Sequence, residues 1–315
     1  MIVLDQIQTR AALQWGPLIG ALDKMFQSDC RMPVRHHHDV AVPGERDATL
    51  LLMPAWLPGD YIGVKMVSVF PGNTTRGLPA IFGSYLLSSG RTGELLAVLD
   101  GGELTARRTA AASALAARYL ARTGASHMLM VGTGRLSVNL VAAHSTVRPI
   151  RTVSIWGRDM AKAEAAVKEL ADLGIDAEAT ADLEAAARQA DIISCATLSS
   201  EPIVRGAWLK PGAHLDLVGA FKPSMRESDD DAMARGRIFA DTRAGVLSEG
   251  GDIIRALQSG AIGEDAIVAD LFGLCRGENP GRISDEDITV FKSVGAALED
   301  LAGAILAYGE HTKTS

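Results

Sequence analysis

The sequence predicts an α/β protein in which a small α+β domain is followed by a doubly wound parallel sheet. Two observations predict this fold class. Strand and helix patterns alternate over the C-terminal two thirds of the chain, as they do in βαβ units, whereas the N-terminal third contains short apolar runs without helices between them. The chain has 315 residues, which is long enough for two domains with separate cores.

The first predicted element is an amphipathic helix over residues 9–25, where apolar residues recur at helical spacing. Four short apolar runs follow at residues 50–53, 62–70, 80–87 and 95–99, separated by turns rich in Gly, Pro and Asn. Because no helical pattern lies between these runs, we expect them to form antiparallel strands. An Ala-rich helix over residues 105–122 comes next, and we place the domain junction on it.

Beyond this helix the pattern predicts a parallel sheet with helices on both faces. The predicted strands cover residues 127–132, 152–156, 191–196, 214–218 and 288–291, and the predicted helices cover residues 136–144, 160–173 and 294–308. We therefore assign residues 1–112 to the first domain and residues 113–295 to the second. The C-terminal helix, within residues 296–315, is expected to pack back on the first domain.

Composition argues against several kinds of partner. Acidic residues outnumber basic ones, the formal net charge is −7, and the Lys and Arg residues are scattered, so we expect no nucleic-acid partner. No apolar run approaches the roughly 20 residues that span a bilayer, and no secretion signal is evident. We therefore expect a cytoplasmic protein without a membrane partner. Cys30, Cys195 and Cys275 lie far apart and are predicted to be reduced and buried.

The run His36-His37-His38 raises the question of a metal site. Neighbouring residues of a strand point to opposite faces, so three consecutive imidazoles do not converge on one ion. We predict no metal.

A glycine-rich turn follows the first strand of the predicted parallel sheet. The strand residues 128–131 lead directly into Gly132-Thr133-Gly134-Arg135-Leu136-Ser137, and a helix pattern begins there. Gly132 permits a tight turn, Gly134 lets the backbone approach a pyrophosphate, and the helix N-terminus offers free N–H groups to that anion. Ser137 replaces the third glycine of the motif with another small residue. The strand, turn and helix together predict a Rossmann-type dinucleotide-binding domain.

The end of the second strand predicts which dinucleotide binds. An NAD site usually has an acidic residue there, which binds the ribose 2′-hydroxyl, whereas an Arg accommodates a 2′-phosphate. This chain has Trp156, Gly157 and Arg158 at that point. We expect NADPH as the cofactor, with NADH still open because Asp159 follows directly.

Taken together, the motifs resemble the ornithine cyclodeaminase/mu-crystallin family, which also includes an alanine dehydrogenase and several ketimine reductases. The resemblance extends over nearly the whole chain, and the order and spacing of its short motifs agree. Besides the glycine-rich turn, these motifs are Pro33-Val34-Arg35, Met53-Pro54, Gly63-Val64-Lys65, Phe70-Pro71-Gly72-Asn73, Arg76-Gly77-Leu78-Pro79, Leu104-Thr105, Arg108-Thr109-Ala110-Ala111, Val218-Gly219, Arg226-Glu227 and Thr289-Val290-Phe291-Lys292-Ser293-Val294-Gly295.

The resemblance implies a homodimer whose N-terminal domain supplies the dimer contact and the substrate pocket. It implies that Arg35 binds the substrate carboxylate, that Lys65 is the polar group at the reacting carbon, and that Arg108 contacts both substrate and cofactor. Burial of Lys65 in an apolar strand would lower its pKa and make it a usable proton donor. The remaining residues expected in the site are Met53 and Phe221 for the substrate and Thr109, Gly132, Thr133, Gly134, Arg135, Leu136, Trp156, Arg158, Thr197, Val218, Gly219, Ala220 and Ser293 for the cofactor.

Within the family, two substitutions favour the reductase branch. Cyclodeaminases place an Asp just after Val-Gly-x, where this chain has Phe221, and a Thr after Leu-Pro, where it has Ala80. The resemblance therefore implies NAD(P)H-dependent reduction of Δ1-pyrroline-2-carboxylate to L-proline, with Δ1-piperideine-2-carboxylate as a second cyclic imino acid substrate. Ornithine cyclodeamination, an alanine dehydrogenase-like reaction and a non-catalytic, mu-crystallin-like ligand-binding role remain alternatives.

Overall fold

The computed structural model describes residues 1–314, which form two units. Unit 1 comprises Met1–Thr109 together with the chain from Ala296 onward, and unit 2 comprises Ala110–Gly295. Unit 1 contains a six-stranded mixed sheet and unit 2 an eight-stranded parallel sheet, so the α/β class is confirmed.

Unit 1 is a sheet of order β1-β6-β5-β4-β3-β2 with helices packed on it. Its elements are β1 (Ile2–Leu4), α1 (Gln6–Ala12), α2 (Trp15–Gln27), β2 (His36–Val40), β3 (Ala48–Leu57), β4 (Tyr61–Val69), β5 (Ile81–Ser89), β6 (Leu95–Asp100), the first part of α3 (Gly101–Leu120) and α11 (Ala297–Thr314). The four predicted runs form β3 to β6 and pair antiparallel, as expected. β1, which pairs parallel with β6, and β2 were not predicted.

The prediction of one helix over residues 9–25 is wrong, because α1 ends at Ala12 and α2 begins at Trp15. Pro17 explains the break. A proline ring inside a helix clashes with the carbonyl four residues earlier, which here belongs to Leu13. That carbonyl instead accepts two hydrogen bonds from the Arg107 guanidinium, at 3.0 Å from Nε and 2.5 Å from Nη2.

Unit 2 is a parallel sheet of order β13-β12-β14-β11-β10-β7-β8-β9. Its remaining elements are β7 (His127–Val131), α4 (Leu136–Val147), β8 (Thr152–Trp156), α5 (Met160–Asp172), β9 (Ala177–Ala179), α6 (Leu183–Gln189), β10 (Ile192–Cys195), β11 (His214–Leu217), α7 (Asp230–Arg235), β12 (Arg237–Ala240), α8 (Arg243–Glu249), α9 (Gly251–Ser259), β13 (Ile267–Asp270), α10 (Leu271–Cys275) and β14 (Thr289–Lys292). From β7 the chain first adds β8 and β9 on one side and then β10 and β11 on the other. Ligands of such sheets bind at this reversal, beyond the carboxyl ends of the strands.

Two further boundaries differ from the predictions. The Ala-rich helix begins at Gly101 rather than at residue 105, because the Asp100 side chain accepts a hydrogen bond from the Glu103 N–H at 2.6 Å and so caps an earlier first turn. The closing helix begins at Ala297 rather than at residue 294, because the N–H groups of Val294 and Gly295 bind the Asp241 carboxylate at 2.7 Å.

Candidate active site

The glycine-rich turn has the geometry that a dinucleotide needs. β7 ends at Val131, and Gly132 has φ of 120°, a conformation that residues with a side chain rarely adopt. A Cβ atom on Gly132 would lie only 2.7 Å from the Ala196 carbonyl oxygen, so the loop after β7 packs directly on the loop after β10. The Ser137 hydroxyl donates a hydrogen bond to the Gly134 carbonyl at 2.7 Å and closes the turn from the helix side.

The N-terminus of α4 faces solvent at this turn. Gly134 and Arg135 are exposed, Thr133 and Leu136 are half-buried, and space within 4 Å of a Cβ at Gly134 is empty. Arg135 is the N-cap residue of α4, and among the described residues its side chain makes no capping hydrogen bond to the first turn. Backbone N–H groups at a helix N-terminus attract anions, so this turn fits a pyrophosphate.

The end of β8 lies beside the turn, because β8 pairs with β7. Trp156 is half-buried and Arg158 is exposed. Gly157 leaves room for the Thr133 side chain, since a Cβ there would lie 2.6 Å from the Thr133 Cγ2. The Asp159 carboxylate accepts a hydrogen bond from a backbone N–H of the first turn of α5 at 3.1 Å and serves as its N-cap. Asp159 is therefore engaged in helix capping.

The loops after β10 and β11 meet on a buried carboxylate that the sequence analysis did not assign to the site. Glu227 accepts hydrogen bonds from the Thr197 N–H at 2.6 Å and hydroxyl at 2.8 Å, and from the N–H groups of Gly219 at 2.7 Å and Ala220 at 3.3 Å. Val218 is buried and Phe221 is 39% exposed at the end of the second loop. Ser293, buried after β14, donates its N–H to the Leu217 carbonyl at 3.1 Å.

In unit 1, Lys65 lies on the inner face of the sheet. Its partner in β3 is Met53 and its partner in β5 is Tyr85, so the three side chains share one face. Lys65 is 2% exposed, and Met53 and Tyr85 are also buried. Gly63 shares the face, and a Cβ on it would overlap the Tyr85 ring and hydroxyl. The Gly63-Val64-Lys65 motif thus combines a buried cation with room for a neighbouring aromatic ring.

Two carboxylates from α11 pair with the cations. The Lys65 Nζ lies 2.8 Å from Oδ2 of Asp300 and donates a hydrogen bond to its Oδ1 at 3.0 Å. Arg108 on α3 donates from Nε to the same Oδ1 at 2.9 Å and from Nη1 to Oε2 of Glu299 at 2.7 Å. All four charged side chains are buried. We call Lys65, Arg108, Glu299 and Asp300 the buried charge cluster.

The charges of this cluster set its protonation states. Burial, and then the positive charge of Arg108, lower the pKa of Lys65 to about 8, although Asp300 acts in the opposite direction. The positive charge of Arg35, a half-buried residue, makes a smaller contribution that also lowers the pKa of Lys65. Burial would raise the pKa of Asp300, but Arg108 and Lys65 outweigh it and hold this pKa below its usual value. Lys65 is therefore a cation that can lose its proton slightly above neutral pH.

Several of these side chains were not identified from sequence. Asp300 and Glu299 lie in the C-terminal helix pattern, where they resemble the solvated charges of an ordinary helix. The available signal was the pair of acidic residues in an otherwise apolar segment near residues 296–308, since charged residues are rarely buried without partners. The Tyr85 hydroxyl is buried and has no hydrogen-bond partner among the described residues.

The structure also describes the histidine run, the length and polarity of the helices, and the cysteines. His36, His37 and His38 are exposed on the edge strand β2, and residues 1–314 contain no group of three or more side chains arranged to hold a metal. No helix in the described part of the chain is long and apolar enough to cross a membrane. All three cysteines are thiols, but Cys30 is half-buried rather than buried, because it lies in the loop after α2.

The parallel sheet, its reversal at β7 and the glycine-rich turn define unit 2 as a Rossmann-type dinucleotide-binding domain. The family model that describes the ornithine cyclodeaminase/mu-crystallin family matches residues 3–315. The chain belongs to this family.

Individual relatives are similar over most of their length. Protein SAR DEFICIENT 4 of Arabidopsis thaliana is 41% identical over 284 residues, which cover 88% of this chain and 86% of that protein. Δ1-Pyrroline-2-carboxylate reductase of Paracoccus denitrificans is 39% identical over 290 residues, covering 92% and 90%. The structure of Thermococcus litoralis Δ1-pyrroline-2-carboxylate reductase in complex with NADH and L-proline matches with a TM-score of 0.92 and 31% identity, covering 100% of this chain and 98% of that one.

Proposed function

We propose that the protein is an NAD(P)H-dependent imine reductase that converts Δ1-pyrroline-2-carboxylate to L-proline. The observation that carries the proposal is the buried ammonium of Lys65, which is held by Asp300 and has a pKa of about 8, in a chain whose relatives include reductases of this imine. Reduction of a C=N bond needs one hydride and one proton. A buried acid of this strength suits the proton step.

The charges in unit 1 suit a substrate with one carboxylate. Lys65, Arg108 and Arg35 are three cations, and Glu299 and Asp300 are two carboxylates, so the group has one net positive charge. The planar Arg35 guanidinium is the natural partner of the substrate carboxylate, because it can donate two parallel hydrogen bonds. We assign the substrate-binding role, with Met53 and Arg108 as further contacts, to unit 1.

The proton-transfer step follows from the state of Lys65. When bound, the nicotinamide supplies the hydride for the imine carbon. At neutral pH the Lys65 Nζ is protonated, and Asp300 fixes its direction through two short contacts. In our proposal this Nζ gives a proton to the ring nitrogen as that nitrogen becomes an amine. Burial excludes water from the same side chain and so favours transfer to the substrate.

Phe221 favours an imine over ornithine as the substrate. A phenyl ring neither accepts a proton nor hydrogen-bonds an ammonium, so an open-chain diamine next to it would lose hydration without a new partner. The ring methylenes of a cyclic imine can instead lie against this apolar side chain. The same argument covers Δ1-piperideine-2-carboxylate, which would give L-pipecolate.

The unit 2 residues support NADPH as the reductant, with NADH as the weaker alternative. Arg158 is exposed at the end of β8 and can meet a 2′-phosphate, while Asp159 is engaged as the N-cap of α5. The turn residues 132–136, together with Trp156, Thr197, residues 218–220 and Ser293, form the rest of the proposed cofactor site in unit 2. Arg108 and Thr109 are further cofactor contacts in our proposal.

The outer face of the unit 1 sheet supports a homodimer. Ile62, Met66 and Phe82 lie on this face and are 40%, 43% and 48% exposed in the single chain. A patch of exposed apolar side chains on one sheet face is typical of a surface that another subunit covers. We place the dimer contact there, and we place the enzyme in the cytoplasm, where cysteines stay as thiols. Light scattering of the purified chain measures the subunit number directly.

The activity is tested with three substrate mixtures, of which two are followed by NADPH absorbance and the third by the release of ammonia. Δ1-Pyrroline-2-carboxylate should give rapid NADPH oxidation, with L-proline as product. Pyruvate with ammonia tests the alanine dehydrogenase-like reaction and should give little oxidation. Ornithine with catalytic NAD+ tests cyclodeamination, and released ammonia would contradict the proposal. If the cofactor binds and no imine is reduced, a ligand-binding role replaces the enzyme.

A further inference from the structure

Glu227 occupies an unusual position in unit 2, because one buried carboxylate joins two loops that are separate in sequence. It is fully buried, and each of its two oxygens binds a different loop. Oε1 binds the loop after β10 through the Thr197 N–H and hydroxyl, and Oε2 binds the loop after β11 through the Gly219 and Ala220 N–H groups. The loops fit closely, since a Cβ on Gly219 would overlap the Thr197 backbone and the Glu227 carboxylate.

The backbone of Glu227 is itself fixed from α9. Asp252, in the first turn of α9, accepts hydrogen bonds at Oδ1 from the Glu227 and Ser228 N–H groups, both at 2.9 Å. Its other oxygen lies 3.5 Å from the Nζ of Lys292, a fully buried lysine at the end of β14. Lys292 also donates to the Leu217 carbonyl, on the strand that leads into the second loop, at 3.1 Å.

We propose that Glu227, as the carboxylate anion, is a positioning residue that holds the loops after β10 and β11 in the form that receives the nicotinamide dinucleotide. This inference rests on the proposed function, which places the cofactor at the carboxyl edge of the sheet. The loop after β10 lies beside Gly132, at the reversal of the strand order where ligands of such sheets bind. An anion accepts all four hydrogen bonds, whereas the neutral acid presents a proton to one of its donors.

Burial and the charges around Glu227 bring its pKa close to neutral pH. Burial raises its pKa, the Lys292 cation on β14 lowers it, and the Asp252 carboxylate on α9 raises it, with a result of about 7. Burial and these carboxylates raise the pKa of the Cys195 thiol on β10, so this thiol stays neutral. The carboxylate of Asp241, after β12, also interacts with the charge of Lys292. The anion that binds the loops is therefore present above neutral pH and is lost as the pH falls through about 7.

The test compares dinucleotide affinity in three full-length proteins: the natural chain, Glu227→Gln, and the control Glu201→Gln, which makes the same change at an exposed residue of the loop after β10. The Kd for NADPH is measured by fluorescence from pH 6 to 8.5. At pH 8.5 we expect Glu227→Gln to bind about tenfold more weakly than the natural chain, the size of a lost charge-assisted hydrogen bond. At pH 6 the two should bind almost equally, because the natural side chain is then also neutral.

At each pH the Kd of Glu227→Gln is divided by the Kd of the natural chain, and this ratio cancels any effect of the ionisation of NADPH. A purely structural role would give a ratio that is independent of pH, and that result, or a ratio near one at pH 8.5, would overturn the inference. Glu201→Gln should match the natural chain at every pH.

A second variant keeps Glu227 and moves its titration. Asp252→Asn removes a negative neighbour, so the pKa of Glu227 should fall and the loops should stay fixed to a lower pH. The readout is the hydrogen-exchange protection of the Thr197, Gly219 and Ala220 amides in the cofactor-free chain. If Glu227→Gln does not fold, this variant decides alone: a lower midpoint supports the inference, and an unchanged one overturns it. Failure of the natural chain to bind NADPH refutes the proposed function, whereas the amide protection still tests the loop contacts.

Discussion

Replacing Asp300 by Asn tests how the buried charge cluster sets the activity of Lys65. The amide keeps an oxygen for the Arg108 Nε, which lies 2.9 Å from Oδ1, but removes the negative charge 2.8 Å from the Lys65 Nζ. An opposite charge at such a distance stabilises the charged form of its partner by about one to three pKa units. Asp300 raises the pKa of Lys65, so its loss must lower that pKa further.

The expected effect on rate follows from the fraction of Lys65 that is protonated. With the pKa at about 8, roughly three quarters of Lys65 has its proton at pH 7.5. A fall of about two units would leave roughly 3%. If the ammonium is the acid in imine reduction, kcat/KM at pH 7.5 falls about 25-fold, and the alkaline limb of the pH profile moves from about 8 to about 6.

The assay is imine-dependent NADPH oxidation between pH 5.5 and 9.5, with melting curves recorded at each pH. Asp172→Asn, on the exposed end of α5, is the matched control and should keep the natural profile. Lys65→Arg provides a second test. Because a guanidinium stays protonated, the pH profile of this variant should have no alkaline limb, and its rate should be lower at every pH. An alkaline limb that stays near pH 8 in folded Asp300→Asn would refute the assignment of the acid to Lys65.

Three further predictions concern single side chains. Arg158→Ala should lower the ratio of kcat/KM for NADPH over NADH by about tenfold, measured with both cofactors; an unchanged ratio excludes contact with the 2′-phosphate. Arg35→Ala should raise KM for the imine about tenfold with a smaller change in kcat, because a carboxylate contact is made equally before and during reaction; equal losses in both constants would contradict this role. Gly63→Ala should lower the free energy of unfolding in urea by about 1–3 kcal/mol, since the new Cβ overlaps the Tyr85 ring, and Tyr85→Leu should recover part of that loss.

The elements that sequence reasoning identified are those with strong local patterns. β8 was predicted with its observed bounds, because its apolar run is bounded on both sides by polar and glycine residues. Residues 220–285 were largely missed. They form helices of 5–9 residues and strands of four, which are too short for a helical or alternating period to be recognised.

The site was predicted in part for a similar reason. The glycine-rich turn is continuous in sequence, so its motif and its flanking strand and helix can be recognised together. Lys65 and Asp300 are 235 residues apart, and no local pattern connects them. Glu227 was noticed only within a short motif, because an isolated acidic residue between Arg and Ser resembles any surface charge. Burial, which distinguishes these carboxylates from solvated ones, is a property of the fold.

The return of α11 to unit 1 has a consequence for synthesis on the ribosome. Unit 2 is one continuous segment and can complete its core soon after its last strand has been translated, since domains fold as units during synthesis. Unit 1 receives its first 109 residues early, but the Leu298 and Leu301 side chains of its core and the counter-ion of Lys65 arrive only with the final helix. The nascent chain must therefore keep a complete but uncovered sheet and an uncompensated lysine in water until α11 has been translated, and a transcript truncated within α11 would give a folded unit 2 attached to a remnant of unit 1 without the counter-ion of Lys65.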